Sequence, residues 1–87
     1  MRTICLDGLQ MQDRDAAHDY LAQVLTFPAW YGRNLDALYD LLTGWIGPVR
    51  LELENAAALA AYPYGVKLLE TLQDAAADTP GLEVAVL

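Results

Sequence analysis

Two aspartates stand one helical turn apart in the segment WYGRNLDALYDLLTGW, residues 30–45. On a helix, Asp36 and Asp40 would share one face, with Tyr39 beside them. A carboxylate pair can serve acid–base or glycosidic catalysis, which requires a cleft and two groups with different pKa values. It can also accept charge-assisted hydrogen bonds from the cationic groups of a binding partner.

Asp40 stands where a helix tolerates a negative charge poorly. Like charges one turn apart cost roughly 0.2–0.5 kcal/mol. If the helix ends at Gly44, an anion in its last turn is disfavoured by roughly 0.3–1 kcal/mol. One interpretation is a solvated helix face that tolerates these costs. The other is a binding surface, because local rules often fail at functional sites and aromatics such as Tyr39 are enriched in protein interfaces.

The segment that carries these acids is predicted to be a helix that begins at Asn34 and ends at Gly44. Asn is a favourable N-cap, and Gly suits the left-handed residue after a helix end. Helical spacing defines a core side with Leu35, Leu38 and Leu42. The opposite side, predicted to face water, carries Asp36, Tyr39, Asp40 and Thr43. Periodicity leaves open which of the flanking aromatics, Trp30, Tyr31 and Trp45, are exposed.

Three strands and three further helices are predicted around this helix. Short apolar or alternating runs predict strands at residues 3–8, 50–53 and 82–87. Helical spacing predicts the other helices at residues 13–25, with Asp13 as N-cap, 55–62 and 64–78. Strands separated by helical crossovers favour a parallel sheet. The predicted fold class is therefore α/β, a three-stranded parallel sheet packed with about four helices in the order β-α-α-β-α-α-β.

Length and charge limit the possible functions. The 87 residues fit one domain, residues 1–87, and carry twelve acidic and five basic residues for a net charge of −7. This balance argues against binding to nucleic acid or to an anionic membrane, both of which require clustered Lys and Arg. It favours a basic partner, although solubility alone also explains it. No apolar run approaches a membrane span and no signal peptide is evident, so we expect a cytoplasmic protein.

Other residues that could do chemistry are isolated. Cys5 is the only cysteine and lies in an apolar run, so we expect a buried small hydrophobe. His18 is the only histidine, which favours a structural or surface role over a metal ligand or a general base. Asp74 and Asp78 are expected to be solvated, unless their helix edge adjoins the acidic face. We therefore expect no metal and no cofactor.

The segment PAWYGRNLDALYDLLTGW, residues 28–45, resembles the signature of the barstar family, intracellular inhibitors of the secreted ribonuclease barnase. The element order and the acidic charge also fit this family along the whole chain. The resemblance implies a one-to-one inhibitor, not an enzyme, that plugs the active site of a basic extracellular-type ribonuclease. The residue matching Asp40 takes the place of a substrate phosphate, and the one matching Asp36 pairs with a basic residue at the rim.

The resemblance also implies which residues bind the partner. They are Trp30, Gly32, Asn34, Leu35, Asp36, Tyr39, Asp40, Thr43, Gly44, Trp45 and, by a looser alignment of the last helix, Asp74. Arg33 departs from the pattern, because barstar has an acid there. Trp30 replaces a tyrosine and Tyr39 replaces a tryptophan. These differences imply a cognate ribonuclease whose rim differs from that of barnase.

Two other functions remain open at this point. One is a barstar-like immunity or regulatory module that neutralises a different toxin or a non-nuclease partner. The other is an enzyme that uses Asp36 and Asp40 as a catalytic pair. A convex, open helix face counts against the enzyme, because paired catalytic carboxylates need a cleft.

Overall fold

The computed structural model describes residues 1–87 and shows an α/β fold. The strands are β1 (Arg2–Asp7), β2 (Val49–Glu54) and β3 (Leu82–Val86), and the helices are α1 (Arg14–Val24), α2 (Leu35–Gly44), α3 (Ala57–Ala60) and α4 (Pro63–Asp78). β2 lies between β1 and β3 and pairs in parallel with both. The predicted element order and parallel sheet are confirmed. None of the helices combines the length and the apolar character needed to span a membrane.

One face of the sheet carries the core. Along β2, Val49, Leu51 and Leu53 are fully buried, whereas Arg50 and Glu52 lie between them on the other face and form an ion pair. This two-residue alternation is typical of a sheet that is covered on one side. The helices therefore pack on the face that β2 lines with its apolar side chains.

The prediction that Cys5 is buried is wrong. Cys5 is exposed and lies opposite Glu52 in the register between β1 and β2, whereas the next residue, Leu6, is fully buried. The apolar neighbours Ile4 and Leu6 lie on the opposite side of the strand from Cys5, and the helices cover only that side of the sheet. The pleat therefore decides its exposure, and the apolar composition of the run does not.

The helix α2 packs on the core through its leucines and lies beside α4. Leu38 and Leu42 are buried as predicted, and Leu41 is buried with them. Leu35, in the first turn, is only partly buried and packs against the edge of the core. A helix held along its length in this way presents its opposite face on a rigid support.

The predicted start of α2 is confirmed, whereas the predicted conformation at its end is wrong. Asn34 is the N-cap, and its side chain accepts a hydrogen bond from the amide of Ala37 at 2.8 Å. Gly44 is not the left-handed residue after the helix, as was predicted, but the last helical residue. The amides of Trp45 and Ile46 both donate to the carbonyl of Leu41, so the chain leaves the helix later. The left-handed residue that follows α2 is instead Gly47, with a φ of 70°.

Candidate protein-binding surface

The loop that leads into α2 is fixed at its end by Asn34. Besides capping α2, the Asn34 side chain donates a hydrogen bond to the carbonyl of Gly32 at 3.3 Å. A Cβ at Gly32 would lie 3.2 Å from the Cβ of Ala37, so this loop passes close to the first turn of the helix. The cap thus holds Gly32 and the first turn of α2, which carries Asp36, in one arrangement.

The carboxylates of Asp36 and Asp40 have no partner within the protein. Both side chains are exposed, and neither carboxylate takes part in an ion pair or a hydrogen bond. The ion pairs of the protein are formed by Arg33 with α1 and by Arg50 with acids of the sheet. The prediction that the two acids face water is confirmed, and their free lone pairs can accept hydrogen bonds from a cationic partner.

An edge of α4 extends this group of acids. The hydroxyl of Tyr39 donates a hydrogen bond to the carboxylate of Asp78. That hydrogen bond, partial burial and the charges of Asp78, Asp74 and Asp40 raise the pKa of Tyr39 above its usual value. The charges of three carboxylates from two helices thus act on one phenol. We call Asp36, Asp40, Asp74 and Asp78 the acidic surface.

Tyr39 is less open than the sequence suggested. Its ring is partly buried and packs against the core, so Tyr39 faces water only in part. Helix α4 packs beside α2, and the Tyr39 hydroxyl reaches across to Asp78 on that helix. Tyr39 therefore joins the two helices and presents only part of its ring to a partner.

Two tryptophans form the aromatic part of this surface. Trp30 is 70% exposed and Trp45 is 50% exposed, and their rings pack edge to face with centroids 5.8 Å apart at 84°. Tyr31, between them in sequence, is buried, which decides the question that periodicity left open. Thr43 and Gly44, next to Trp45, line a shallow cavity of about 250 Å³ at the end of α2. Such exposed aromatic pairs next to polar groups are typical of protein interfaces.

Buried His18 contacts the loop before α2 from the core side. Its Nδ1 lies 2.6 Å from the hydroxyl of Tyr31, and its Nε2 lies 2.7 Å from the hydroxyl of Tyr64 at the start of α4. Burial and the positive charges of Arg14 and Arg33 lower the pKa of His18. The structural role left open for His18 is confirmed and the surface role is not.

Comparison with known proteins identifies the family. A family model described as Barstar (barnase inhibitor) matches residues 1–86.

The chain belongs to the barstar family.

A Bacillus subtilis (strain 168) protein named "Putative ribonuclease inhibitor YrdF" is 42% identical to it over 78 residues, which cover 86% of each of the two chains. The resemblance seen in residues 28–45 is therefore confirmed over nearly the whole chain. The positions that the resemblance assigns to partner binding lie in α2, in the segments next to its two ends and, for Asp74, in α4.

Leu35 and Arg33 are less available to a partner than the other residues of this barstar-family surface. Leu35 divides its side chain between the core and an open depression that it shares with Asn34 and Asp36. Arg33 lies in the middle of the expected binding segment but turns its guanidinium toward α1, where it pairs with Asp19. No local sequence pattern predicts this partner, because Asp19 lies in α1 and Arg33 in the loop that follows it.

Proposed function

We propose that this protein is a stoichiometric inhibitor of a basic microbial ribonuclease. In this proposal the acidic surface and the Trp30–Trp45 pair cover the active site of the enzyme in a one-to-one complex. The protein acts inside the cell that makes the ribonuclease, which is the role that the resemblance to the barstar family implies. It is an inhibitor and not an enzyme, because Asp36 and Asp40 stand open on a convex helix.

The unpaired carboxylate of Asp40 carries this proposal. A ribonuclease must bind the phosphates of RNA, so its active site is cationic. A carboxylate can occupy a phosphate position there and accept hydrogen bonds from Arg, Lys or protonated His side chains. Asp40 is exposed, free of internal partners, and held on a helix whose other side is buried in the core. Little conformational freedom is then lost on binding.

The other acids support the same function in a different way. Asp36, one turn before Asp40, is placed to pair with a basic residue at the rim of the site. Asp74 and Asp78 widen the negative region on α4, and the net charge of −7 adds to its field. A field of one sign accelerates encounter with an oppositely charged enzyme.

A titration of ribonuclease activity tests this function. A panel of basic microbial ribonucleases, including barnase, is assayed with increasing amounts of the protein at enzyme concentrations well above the expected Kd. We expect the activity of at least one enzyme to fall linearly and to reach zero at one equivalent. Full activity of every enzyme at tenfold excess, with no complex in size-exclusion chromatography, would contradict the proposal.

One observation favours a second candidate function. Arg33 places a cation where barstar has an acid, and the exchanged aromatics Trp30 and Tyr39 reshape the centre of the surface. A barstar-family module with these changes could neutralise a different toxin or regulate a non-nuclease partner. Affinity capture with the immobilised protein, followed by mass spectrometry of the bound partner and an RNA hydrolysis assay, separates the two functions.

A further inference from the structure

Arg33 bridges the binding loop to α1. Its Nη1 forms an ion pair with the carboxylate of Asp19. Its Nη2 lies 3.5 Å from the backbone carbonyl of Asp15 and 4.0 Å from the carboxylate of the same residue. Asp15 and Asp19 are one helical turn apart, so a single guanidinium neutralises two like charges on the surface of α1.

This bridge is one of two side-chain contacts that join the loop to α1. On the inside, Tyr31 contacts buried His18 through its hydroxyl, and on the outside Arg33 contacts Asp19. His18 and Asp19 are consecutive residues of α1, and Tyr31 and Arg33 stand on either side of Gly32. The loop is therefore held against α1 at two points, one buried and one exposed.

The backbone at Arg33 needs such a support. Its φ is 57°, a left-handed conformation that is disfavoured for a residue with a Cβ. Residues persist in this conformation only where surrounding contacts determine it. The contact with Asp19 and the cap at Asn34, the next residue, supply them.

We propose that Asp19 is a positioning residue of the binding surface, which holds Arg33 against α1 and so fixes the loop from Trp30 to Asn34. The inference rests on the proposed function only for its effect on binding. A fixed loop loses less conformational entropy when a partner docks. A guanidinium held by two acids is also kept from repelling a cationic enzyme.

The free protein tests the tether without any ribonuclease. Backbone ¹⁵N order parameters are measured for Trp30, Gly32 and Arg33 in the wild type and in Asp19→Asn. We expect values near ~0.85 in the wild type and a fall toward ~0.6 in the variant. The control is Glu54→Gln, which makes the same charge change on the other face of the sheet and should leave the loop rigid. Unchanged order parameters in Asp19→Asn would overturn the proposal.

A double-mutant cycle then separates positioning from direct contact. Kd is measured with a ribonuclease that the wild type inhibits, for Asp19→Asn, Arg33→Ala and the double variant. Alanine keeps the penalty of the positive φ, so Arg33→Ala removes the tether and the charge of Arg33 without changing the backbone preference at this position, and the cycle separates the two effects. With Arg33 present, we expect Asp19→Asn to weaken binding about threefold to fivefold beyond the Glu54→Gln control, as for other exposed ion pairs. With Ala at position 33, Asp19→Asn should weaken binding no more than Glu54→Gln does.

Rescue and stability complete the test. Asp19→Glu should keep wild-type affinity, and urea midpoints should show that all variants fold. If Asp19→Asn raises Kd equally with Arg33 present and with Ala at position 33, Asp19 contacts the enzyme directly. That result would overturn the positioning role. If the wild type inhibits no ribonuclease, the proposed function fails, but the order parameters still decide whether Asp19 fixes the loop.

Discussion

The hydroxyl of Tyr39 on α2 donates a hydrogen bond to the carboxylate of Asp78 on α4, 2.5 Å away. This contact joins the two helices that carry the acidic surface. Asp40 and Asp74 lie close enough for their charges to raise the pKa of the same phenol. The acids of α2 and α4 therefore form one region, whose geometry the packing of the two helices fixes.

Removing the Tyr39 hydroxyl should weaken binding only modestly. In Tyr39→Phe the ring still packs between the helices, and only the contact that orients Asp78 is lost. We expect a loss of affinity below about tenfold, because this exposed hydrogen bond lies within the inhibitor and its net worth is about that of a typical hydrogen bond, ~1 kcal/mol. Calorimetric titration with the inhibited ribonuclease measures it. Tyr20→Phe, which removes a hydroxyl that accepts from the amide of Asp7, is the matched control and should bind normally. A hundredfold loss in Tyr39→Phe would mean that the hydroxyl itself contacts the enzyme.

The two tryptophans should act together in binding. Trp30→Ala and Trp45→Ala should each weaken binding by about 2 kcal/mol or more, as aromatic residues at interface centres do. Because the rings pack edge to face, the loss of binding free energy in the double variant should be smaller than the sum of the two single losses, by ~0.5–1.5 kcal/mol. A double-mutant cycle of Kd values measures this coupling. Leu9→Ala, at an exposed apolar residue outside this surface, is the control. Strictly additive losses would contradict the coupling.

The sequence predicted the parts of the fold that depend on local patterns. Leucines at helical spacing and the cap at Asn34 located α2 and gave the side on which Asp36 and Asp40 lie. Short apolar runs separated by helices gave the parallel sheet. These features were predictable because period, capping preference and crossover geometry are properties of neighbouring residues.

The contacts that complete the surface join residues far apart in the chain. The Tyr39–Asp78 hydrogen bond spans 39 residues. Arg33 and Asp19 meet only because the loop folds back on α1, and no local pattern encodes their pairing. Cys5 was misplaced for a related reason, since its exposure depends on which face of the sheet the helices cover. Single-sequence periodicity describes one element at a time and does not contain these relationships.

Buried His18 should make stability depend on pH. Its pKa is lowered in the folded protein, mainly by burial, so the folded state binds a proton less readily than the unfolded chain, whose His pKa is about 6.5. The contribution of neutral His18 is complete above this value and is lost as pH falls toward the lower folded pKa. The slope cannot exceed that of one proton, about 1.4 kcal/mol per pH unit.

Urea unfolding between pH 8 and pH 5 measures this dependence. The His18→Gln variant is the comparison, because an amide can also donate to one hydroxyl and accept from the other. The wild type should lose stability below pH 6.5 more steeply than the variant. His18 is the only histidine, so no other imidazole contributes in this range. Parallel curves for the two proteins would contradict the assignment.

Association should slow as salt is added. The acidic surface and the net charge of −7 attract a basic enzyme over distances that salt screens, with a Debye length of about 10 Å at 0.1 M. Stopped-flow association rates should fall at least tenfold between low salt and 0.5 M, whereas dissociation rates should change much less. A neutral osmolyte that matches the viscosity is the control. An association rate independent of salt would contradict electrostatic steering.

The most direct test of the account is the substitution Asp40→Ala, with Glu54→Ala as the control for the loss of one carboxylate. Asp40 has no internal partner, so folding stability should be unchanged or slightly higher in urea. Titration of the ribonuclease at matched salt should show that Asp40→Ala raises the inhibition constant by about 10²-fold or more, since cationic groups of the enzyme are left buried and unpaired. The Glu54→Ala protein should inhibit like the wild type. Equal potency of Asp40→Ala and the wild type would contradict the claim that this carboxylate takes the place of an RNA phosphate.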